Sequence, residues 1–156
     1  MIYLNRVIYG DTAAYRTLYE LLKERDDTVN VEATSLPTYE QHVTHCNWFL
    51  SGYNWGHWSL IQSDGEIVGA VSCTAKNELG IFIFKKHQGR GYGPKAVLMM
   101  IEEIRRERDA LEHMPVTGGA NRCSFKAKIN AKNKKSQSMF EGLGFVPQHI
   151  TYELPA

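Results

Sequence analysis

The sequence lacks the features of a disulfide scaffold, a membrane protein or a polyanion-binding protein. Its three cysteines, Cys46, Cys73 and Cys123, are odd in number and far apart, which fits neither a disulfide framework nor a zinc site. It has no apolar run of the roughly 18 residues that a membrane helix needs, and its formal net charge is only +1, too small to attract nucleic acid or membranes through a global field. No signal-peptide pattern opens the chain, so a cytoplasmic protein with reduced thiols and no membrane partner is expected.

The composition is that of an ordinary globular domain. Apolar residues make up 43% of the sequence and aromatic residues 11%, both typical of such proteins. A chain of 156 residues can bury one substantial core. We therefore expect a single domain over residues 1–156.

Hydrophobic periodicity predicts a mixed α/β (α+β) fold. The Asp64-Gly65 pair indicates a hairpin, and Asp11 and Pro37-Thr38 mark helix starts. The predicted strands cover residues 2–8, 58–62, 67–73, 79–84, 123–129 and 145–154, and the predicted helices cover residues 12–25, 38–50, 94–112 and 131–142. The order β-α-α-β-β-β-α-β-α-β is satisfied by a mixed, mostly antiparallel sheet covered by helices.

A glycine-rich turn between a strand and a helix is the most informative segment. It reads Gln88-Gly89-Arg90-Gly91-Tyr92-Gly93. Glycines let the chain turn tightly and let a phosphate approach the backbone. The unpaired N–H groups and the dipole of the following helix favour an anion there. The spacing is neither that of a nucleotide P-loop nor that of a dinucleotide-binding turn, so the pattern favours another phosphorylated ligand.

A second motif lies about forty residues further on and covers 133–145. It reads Asn133-Lys134-Lys135-Ser136-Gln137-Ser138-Met139-Phe140-Glu141-Gly142-Leu143-Gly144-Phe145. With the Q-x-x-G-x-G turn it resembles the GNAT family of N-acetyltransferases, and the predicted element order extends that resemblance over nearly the whole chain. The resemblance implies the GNAT fold, acetyl-CoA as acyl-donor cosubstrate, and direct attack by an amine within a ternary complex.

The resemblance also implies which residues bind the cofactor. The strand before the turn would pair through its backbone with the pantetheine arm, and the turn would bind the pyrophosphate. The implied residues are Phe82, Ile83, Phe84, Gln88, Gly89, Arg90, Gly91, Tyr92, Gly93, Lys95, Asn133 and Ser136. Pro94 removes one amide from this set, and Lys95 is either a partial substitute or a solvated lysine. The basic run over 126–135 is a solvated face, a contact for the 3′-phosphate of CoA, or a nucleic-acid contact.

Acyl transfer to an amine requires a neutral amine, a donor for the oxyanion and a proton for the departing thiolate. Glu78 is the candidate general base, its alternative role being a solvated carboxylate, and the backbone N–H around Ile83 is the implied oxyanion donor. Many family members have a tyrosine acid at the position of Phe140, which cannot donate a proton. Either another group or solvent then supplies the proton; Tyr152 is a candidate for that group, or else a core or edge tyrosine.

The region from the second helix to the following strand carries the candidate acceptor residues, His42, Tyr53, Trp55 and His57. Aromatic rings with histidines suit a sugar ring or an amine held by cation–π contact, and their spacing does not suggest a metal. The expected acceptor is the primary amine of a small molecule, first an amino sugar or a sugar nucleotide.

Several alternatives stay open. A protein N-terminus, a lysine side chain or a nucleic-acid base is another possible acceptor. Pro94 and Phe140 favour a different class, a non-catalytic acyl-CoA-binding regulatory module. The resemblance also allows a homodimer.

Overall fold

The computed structural model describes residues 1–25, 35–52, 54–112 and 124–155, and in them the chain forms four strands, four α-helices and one short 3-10 helix, Lys85–His87. The strands are β1 (Ile2–Arg6), β2 (His57–Ser63), β3 (Glu66–Cys73) and β4 (Leu79–Ile83), and the helices are α1 (Thr12–Lys23), α2 (Tyr39–Phe49), α3 (Tyr92–Glu112) and α4 (Lys134–Gly142). None of the helices in the described part of the chain is both long and apolar enough to cross a membrane.

The four strands form one antiparallel sheet in the order β1-β2-β3-β4. Asp64 and Gly65 connect β2 to β3 with positive φ angles of 50° and 79°. Two consecutive left-handed residues give a hairpin turn whose twist matches the strands. The predicted hairpin is therefore confirmed.

The first two helices begin where their capping residues predicted. The carboxylate of Asp11 accepts a hydrogen bond from the N–H of Ala14, 3.1 Å away. Thr38 and Gln41 form a reciprocal capping box at the start of α2. Each pair satisfies N–H groups that a helix start leaves without an intrahelical acceptor.

The sheet carries one hydrophobic cluster on each face. α1 and α2 pack on one face, where Tyr15, Leu18 and Cys46 meet Leu60 and Ala70 of the sheet. α3 and α4 pack on the other face. There the cluster is built from Ile61, Val68, Val71, Met100, Ile104 and Phe140. This three-layer arrangement leaves the open edge of β4 as the place where other chain segments approach.

The last two predicted strands do not form in the described residues. Of the segment 124–130, only Lys126 pairs with β4, through a parallel bridge to Glu78. Residues 145–155 form no strand and are largely exposed, and Cys123 lies outside the described residues. The alternating pattern predicted extended chain, but a strand also needs a neighbour to pair with, and local sequence does not specify one.

Candidate functional site

A cleft of about 260 Å³ opens where β4 and the segment 127–130 diverge. The two are joined at one end only: the N–H of Lys126 donates to the carbonyl of Asn77 at 2.9 Å, and the N–H of Leu79 donates to the carbonyl of Lys126 at 2.7 Å. The guanidinium of Arg108 in α3 donates a hydrogen bond to the side-chain oxygen of Asn77. The lining residues are Leu18, Leu21, Leu22, Arg25, Trp58, Ala70, Ser72, Leu79, Gly80, Ile81, Phe82, Ala127, Lys128, Ile129, Asn130, Asn133, Ser136 and Phe140.

The backbone of β4 presents alternate residues to this cleft. The N–H of Phe84 donates to the carbonyl of Val68 at 2.9 Å, back towards β3, whereas the N–H of Leu79 points outwards to Lys126. Because backbone groups alternate in direction along a strand, the N–H groups of Ile81 and Ile83 also point outwards. The N–H groups of Phe82 and Phe84 thus face β3, those of Ile81 and Ile83 face away from it, and the Phe82 side chain lines the cleft.

The glycine-rich turn lies directly after β4. The side-chain amide of Gln88 donates to the carbonyl of Ile83 at 3.1 Å, which fixes the turn to the strand end. Gly89 and Gly91 have φ angles of 79° and 80°, a region in which other residues are strained. The geometry therefore favours glycine at both positions.

α3 begins at Tyr92, inside this turn. The N–H groups of Tyr92 and Gly93 belong to a first helical turn, where no earlier carbonyl is placed to accept them. A Cβ on Gly93 would come 3.2 Å from the sulfur of Met139, so this glycine lets α3 approach α4. Arg90 and Lys95 are exposed beside the turn. Together these groups offer positive potential to an anion.

The start of α4 forms the opposite wall of the cleft. The side-chain oxygen of Asn133 accepts a hydrogen bond from the N–H of Ser136 at 3.2 Å, and both residues line the cleft. Asn133 therefore caps the helix and faces the cleft, so the two roles considered for it are compatible. The predicted start of this helix at residue 131 shifts to Lys134 because of this cap.

Of the candidate catalytic residues, Glu78 lies beside the cleft and Tyr152 does not. The carboxylate of Glu78 is half-buried and 3.7 Å from the amino group of Lys128, a lining residue. Tyr152 is 89% exposed in the irregular C-terminal segment and is not among the residues that line the cleft. Phe140 is buried, lines the cleft and packs edge-on against Phe145, and it offers no proton.

The structure does not bring the candidate acceptor residues together. His42 is 1% exposed in the core, where its ring N–H donates to the carbonyl of Tyr15 and burial lowers its pKa. His57 bonds to Glu107 of α3, 2.7 Å away, because strand alternation turns it to the face opposite Trp58. Trp55 is 68% exposed and does not line the cleft, and Tyr53 lies outside the described residues.

The cleft contains a charged residue to which the sequence pattern gave no role, Arg25, next to Trp58 of the expected acceptor region. A basic residue just after a helix is usually a solvated partner of the helix dipole, so Arg25 gave no distinguishing signal. It lies close enough to His45 to help burial lower the pKa of that histidine. The ring of His45 in turn lies 6.4 Å from that of Trp58.

The two cysteines in the described part of the chain are buried and unpaired. Burial raises the pKa of Cys46 to about 12 and that of Cys73 to about 11. Neither is therefore a thiolate near neutrality, and neither is suited to act as a nucleophile. Among the described residues no three histidine, cysteine or carboxylate side chains converge as a metal site would require.

Comparison with known proteins identifies a related family. Residues 7–146 match a family model described as an acetyltransferase (GNAT) domain. A curated relative, the L-amino acid N-acyltransferase MnaT of Escherichia coli (strain K12), is 26% identical over 149 residues, covering 90% of this chain and 72% of the relative.

Solved structures share the fold. The aminoglycoside N-acetyltransferase AAC(6')-Iy in complex with CoA superposes with a TM-score of 0.68 at 11% identity, covering 100% of this chain and 95% of that one. Mutant forms of the spermidine/spermine N-acetyltransferase SpeG of Vibrio cholerae give a TM-score of 0.66 at 16% identity, covering 95% of this chain and 81% of that one. At such identities the likeness supports the fold alone.

Proposed function

The chain belongs to the GNAT family of acetyltransferases, and from that premise we propose that it transfers an acetyl group from acetyl-CoA to the primary amine of a small molecule. The observation that carries the proposal is the divergence of β4 from the segment 127–130 next to a glycine-rich helix start. Family membership makes it an acyl-CoA-dependent N-acyltransferase. The cleft supplies a place for this chemistry.

The donor would lie along the open edge of β4. The outward N–H groups of Ile81 and Ile83 suit the amide groups of the pantetheine arm, which would add to the sheet like a short strand. The diphosphate would then meet the N–H groups at the start of α3 and the guanidinium of Arg90. Asn133 and Ser136 would contact the arm from the opposite wall.

The reaction needs no covalent enzyme intermediate. The neutral amine attacks the thioester carbonyl, the C–N bond forms, the C–S bond breaks, and the amine proton is lost. An outward N–H of β4, with Ile83 as the first candidate, would bind the developing oxyanion. Glu78 would accept the amine proton through water. With phenylalanine at 140 the thiolate would take its proton from solvent.

The acceptor is the least defined partner. The described members of the aromatic and histidine set that favoured an amino sugar, His42, Trp55 and His57, are not among the residues that line the cleft. Two of the relatives named above act, by their names, on an L-amino acid and on spermidine or spermine. Both kinds of acceptor are small molecules with a primary amine, and this is the acceptor class we propose.

Binding of acetyl-CoA to Gly91 variants tests the donor site. Gly91→Ala and Gly91→Glu both place a Cβ at a φ of 80°, where no atom of the described residues lies within 4 Å, so both carry the same backbone strain. Only the second adds a carboxylate beside the diphosphate. By calorimetry we expect Gly91→Ala to retain most of the affinity and Gly91→Glu to lose on the order of 100-fold, because like charges repel at short range.

Equal affinities for the two variants, both folded by circular dichroism, would contradict the assignment of the turn. Release of CoA with a panel of amines then separates an enzyme from a regulatory module. An acyltransferase turns over at least one amine. Tight acetyl-CoA binding with no turnover on any amine would identify the non-catalytic alternative.

A further inference from the structure

Arg25 is a cation in the cleft that has no partner of opposite charge among the described residues. Its side chain lines the cleft together with Leu22 and Trp58, and its buried Nε has no hydrogen-bond partner in the same part of the chain. The neighbouring carboxylate of Glu24 accepts instead from the N–H of Lys85, 2.8 Å away. A buried N–H that loses water and gains no acceptor is destabilised, and the half-buried Arg25 can therefore gain hydrogen bonds from a ligand in the cleft.

The lining of the cleft, as far as the described residues form it, contains no acidic side chain. Among its lining residues in the described part of the chain, Arg25 and Lys128 are cationic and none is an aspartate or a glutamate. Lys128 lies 3.7 Å from Glu78 and is partly neutralised by it. The potential at Arg25 therefore favours an anion and disfavours a polycation.

Arg25 lies near the part of the cleft that the acceptor would occupy. It is close to His45, whose ring contacts Trp58, and Trp58 is in register with Ser72 and Gly80 at the beginning of β4. The glycine-rich turn follows the other end of β4. The Trp58 end of the cleft is thus separated along the strand from the turn that would bind the diphosphate.

We propose that Arg25 binds an oxyanion group, a carboxylate or a phosphate, that the acceptor amine itself carries. The inference rests on the proposed function and narrows its acceptor from any small amine to an anionic one, such as an amino acid or a phosphorylated amino sugar. The planar guanidinium offers paired N–H donors that match the oxygens of either group. Spermidine-like polyamines and unphosphorylated amino sugars would lack this contact and are predicted to be poor acceptors.

The test measures kcat/KM by release of CoA with matched acceptors. One pair is an apolar L-amino acid, L-leucine, and its amide, and the other is glucosamine 6-phosphate and glucosamine. Spermidine is the polycationic arm. Each pair is assayed with the wild-type chain, Arg25→Gln and Arg25→Lys. Lys23→Gln is the matched control, because it removes an exposed positive charge that pairs with Glu20 near the same helix end.

The comparison uses the ratio of anionic to uncharged acceptor in each protein. An amino-acid amide has a less basic amine than the acid, and this difference cancels when the wild-type ratio is divided by the variant ratio. Loss of a charged hydrogen bond predicts that Arg25→Gln lowers the ratio for one pair by about 10- to 100-fold. Arg25→Lys should restore part of it and Lys23→Gln should leave it unchanged. The pair that responds identifies carboxylate or phosphate as the recognised group.

Three outcomes would overturn the inference. One is a wild-type ratio that Arg25→Gln does not change in either pair. Another is spermidine as the best wild-type acceptor. The third is a loss of acetyl-CoA affinity in Arg25→Gln with unchanged acceptor ratios, which would assign Arg25 to the diphosphate, a location that the Glu24 contact with Lys85 brings within reach. Absence of acetyl-CoA binding and of turnover in the wild-type chain would instead contradict the proposed function itself.

Discussion

At the scale of single residues, the surroundings of a side chain decide its role more than its chemistry does. His42 was a candidate acceptor residue and Arg25 was not, yet of the two only Arg25 lines the cleft. His42 is buried against Tyr15 and Cys46, and burial lowers its pKa, so it is a neutral part of the core. Arg25 reaches the cleft with no counter-charge from the described residues, so its guanidinium is available to a ligand.

Glu78 gives a prediction at this scale. If its carboxylate accepts the amine proton, Glu78→Gln removes the base and leaves the shape of the site nearly unchanged. We expect turnover to fall by about 100-fold near neutral pH and by less at alkaline pH, where more of the amine is already neutral. The measurement is the pH dependence of kcat and kcat/KM.

Glu20→Gln is the matched control, since Glu20 is an exposed carboxylate on α1 that bonds only to Lys23 among the described contacts. Its pH profile should coincide with that of the wild-type chain. If Glu78→Gln also gives the wild-type profile, Glu78 has no role as a base and its pairing with Lys128 is structural.

At the scale of elements, local signals fix where helices and turns begin. The capping box of Thr38 and Gln41 is a clear case, and it makes a stability prediction. Thr38→Ala removes an acceptor for the N–H of Gln41, 3.2 Å away, so the free energy of unfolding should fall by about 1 kcal/mol. Chemical denaturation at equilibrium measures this change.

Thr44→Ala makes the same chemical change in the middle of the same helix. There the hydroxyl bonds back to the carbonyl of Glu40, and alanine has the higher helix propensity, so stability should stay equal or rise slightly. Similar losses for both variants would contradict the capping argument.

Strand pairing at the edge of β4 is the element that local sequence did not determine. The alternation over 123–129 predicted a full strand, but after Lys126 the chain leaves β4 and the cleft takes its place. Pairing is decided between segments about fifty residues apart, by the hydrogen bonds at Asn77 and Leu79. The cleft is therefore present because the segment after Lys126 no longer pairs with β4.

At the scale of the whole molecule, Glu107 connects α3 to the strands β1 and β2. Its carboxylate lies 2.9 Å from Arg6 of β1 and 2.7 Å from His57 of β2. Burial acts to raise the pKa of Glu107, but the hydrogen bond from His57 and the positive charges outweigh it and lower the pKa. This carboxylate therefore stabilises the fold when ionised.

The lowered pKa of Glu107 determines how the free energy of unfolding depends on pH. A carboxyl with a lowered pKa in the folded chain contributes stability above its unfolded pKa of about 4.5, and that contribution is lost as the pH falls through the lower folded value. We expect Glu107→Gln to lose less stability than the wild-type chain between about pH 5 and pH 3. The effect should be modest, because the side chain is 46% exposed and solvent screens it.

Urea unfolding at a series of pH values measures this difference. Glu102→Gln, an exposed position on the same helix, should keep the wild-type dependence. Parallel curves for Glu107→Gln and the wild-type chain would show that the contacts with Arg6 and His57 do not contribute to stability.

The sequence by itself determined the features that depend on neighbouring residues. Helix periodicity and caps, the Asp64-Gly65 hairpin and the glycine-rich turn at the start of α3 are encoded within a few residues, because dihedral preferences and i to i+4 contacts act locally. Only the tertiary structure decided which backbone groups of β4 face the cleft, that His42 is core, and that Arg25 lines the cleft. Those outcomes depend on how distant segments pack, and the spacing of residues along the chain does not record that.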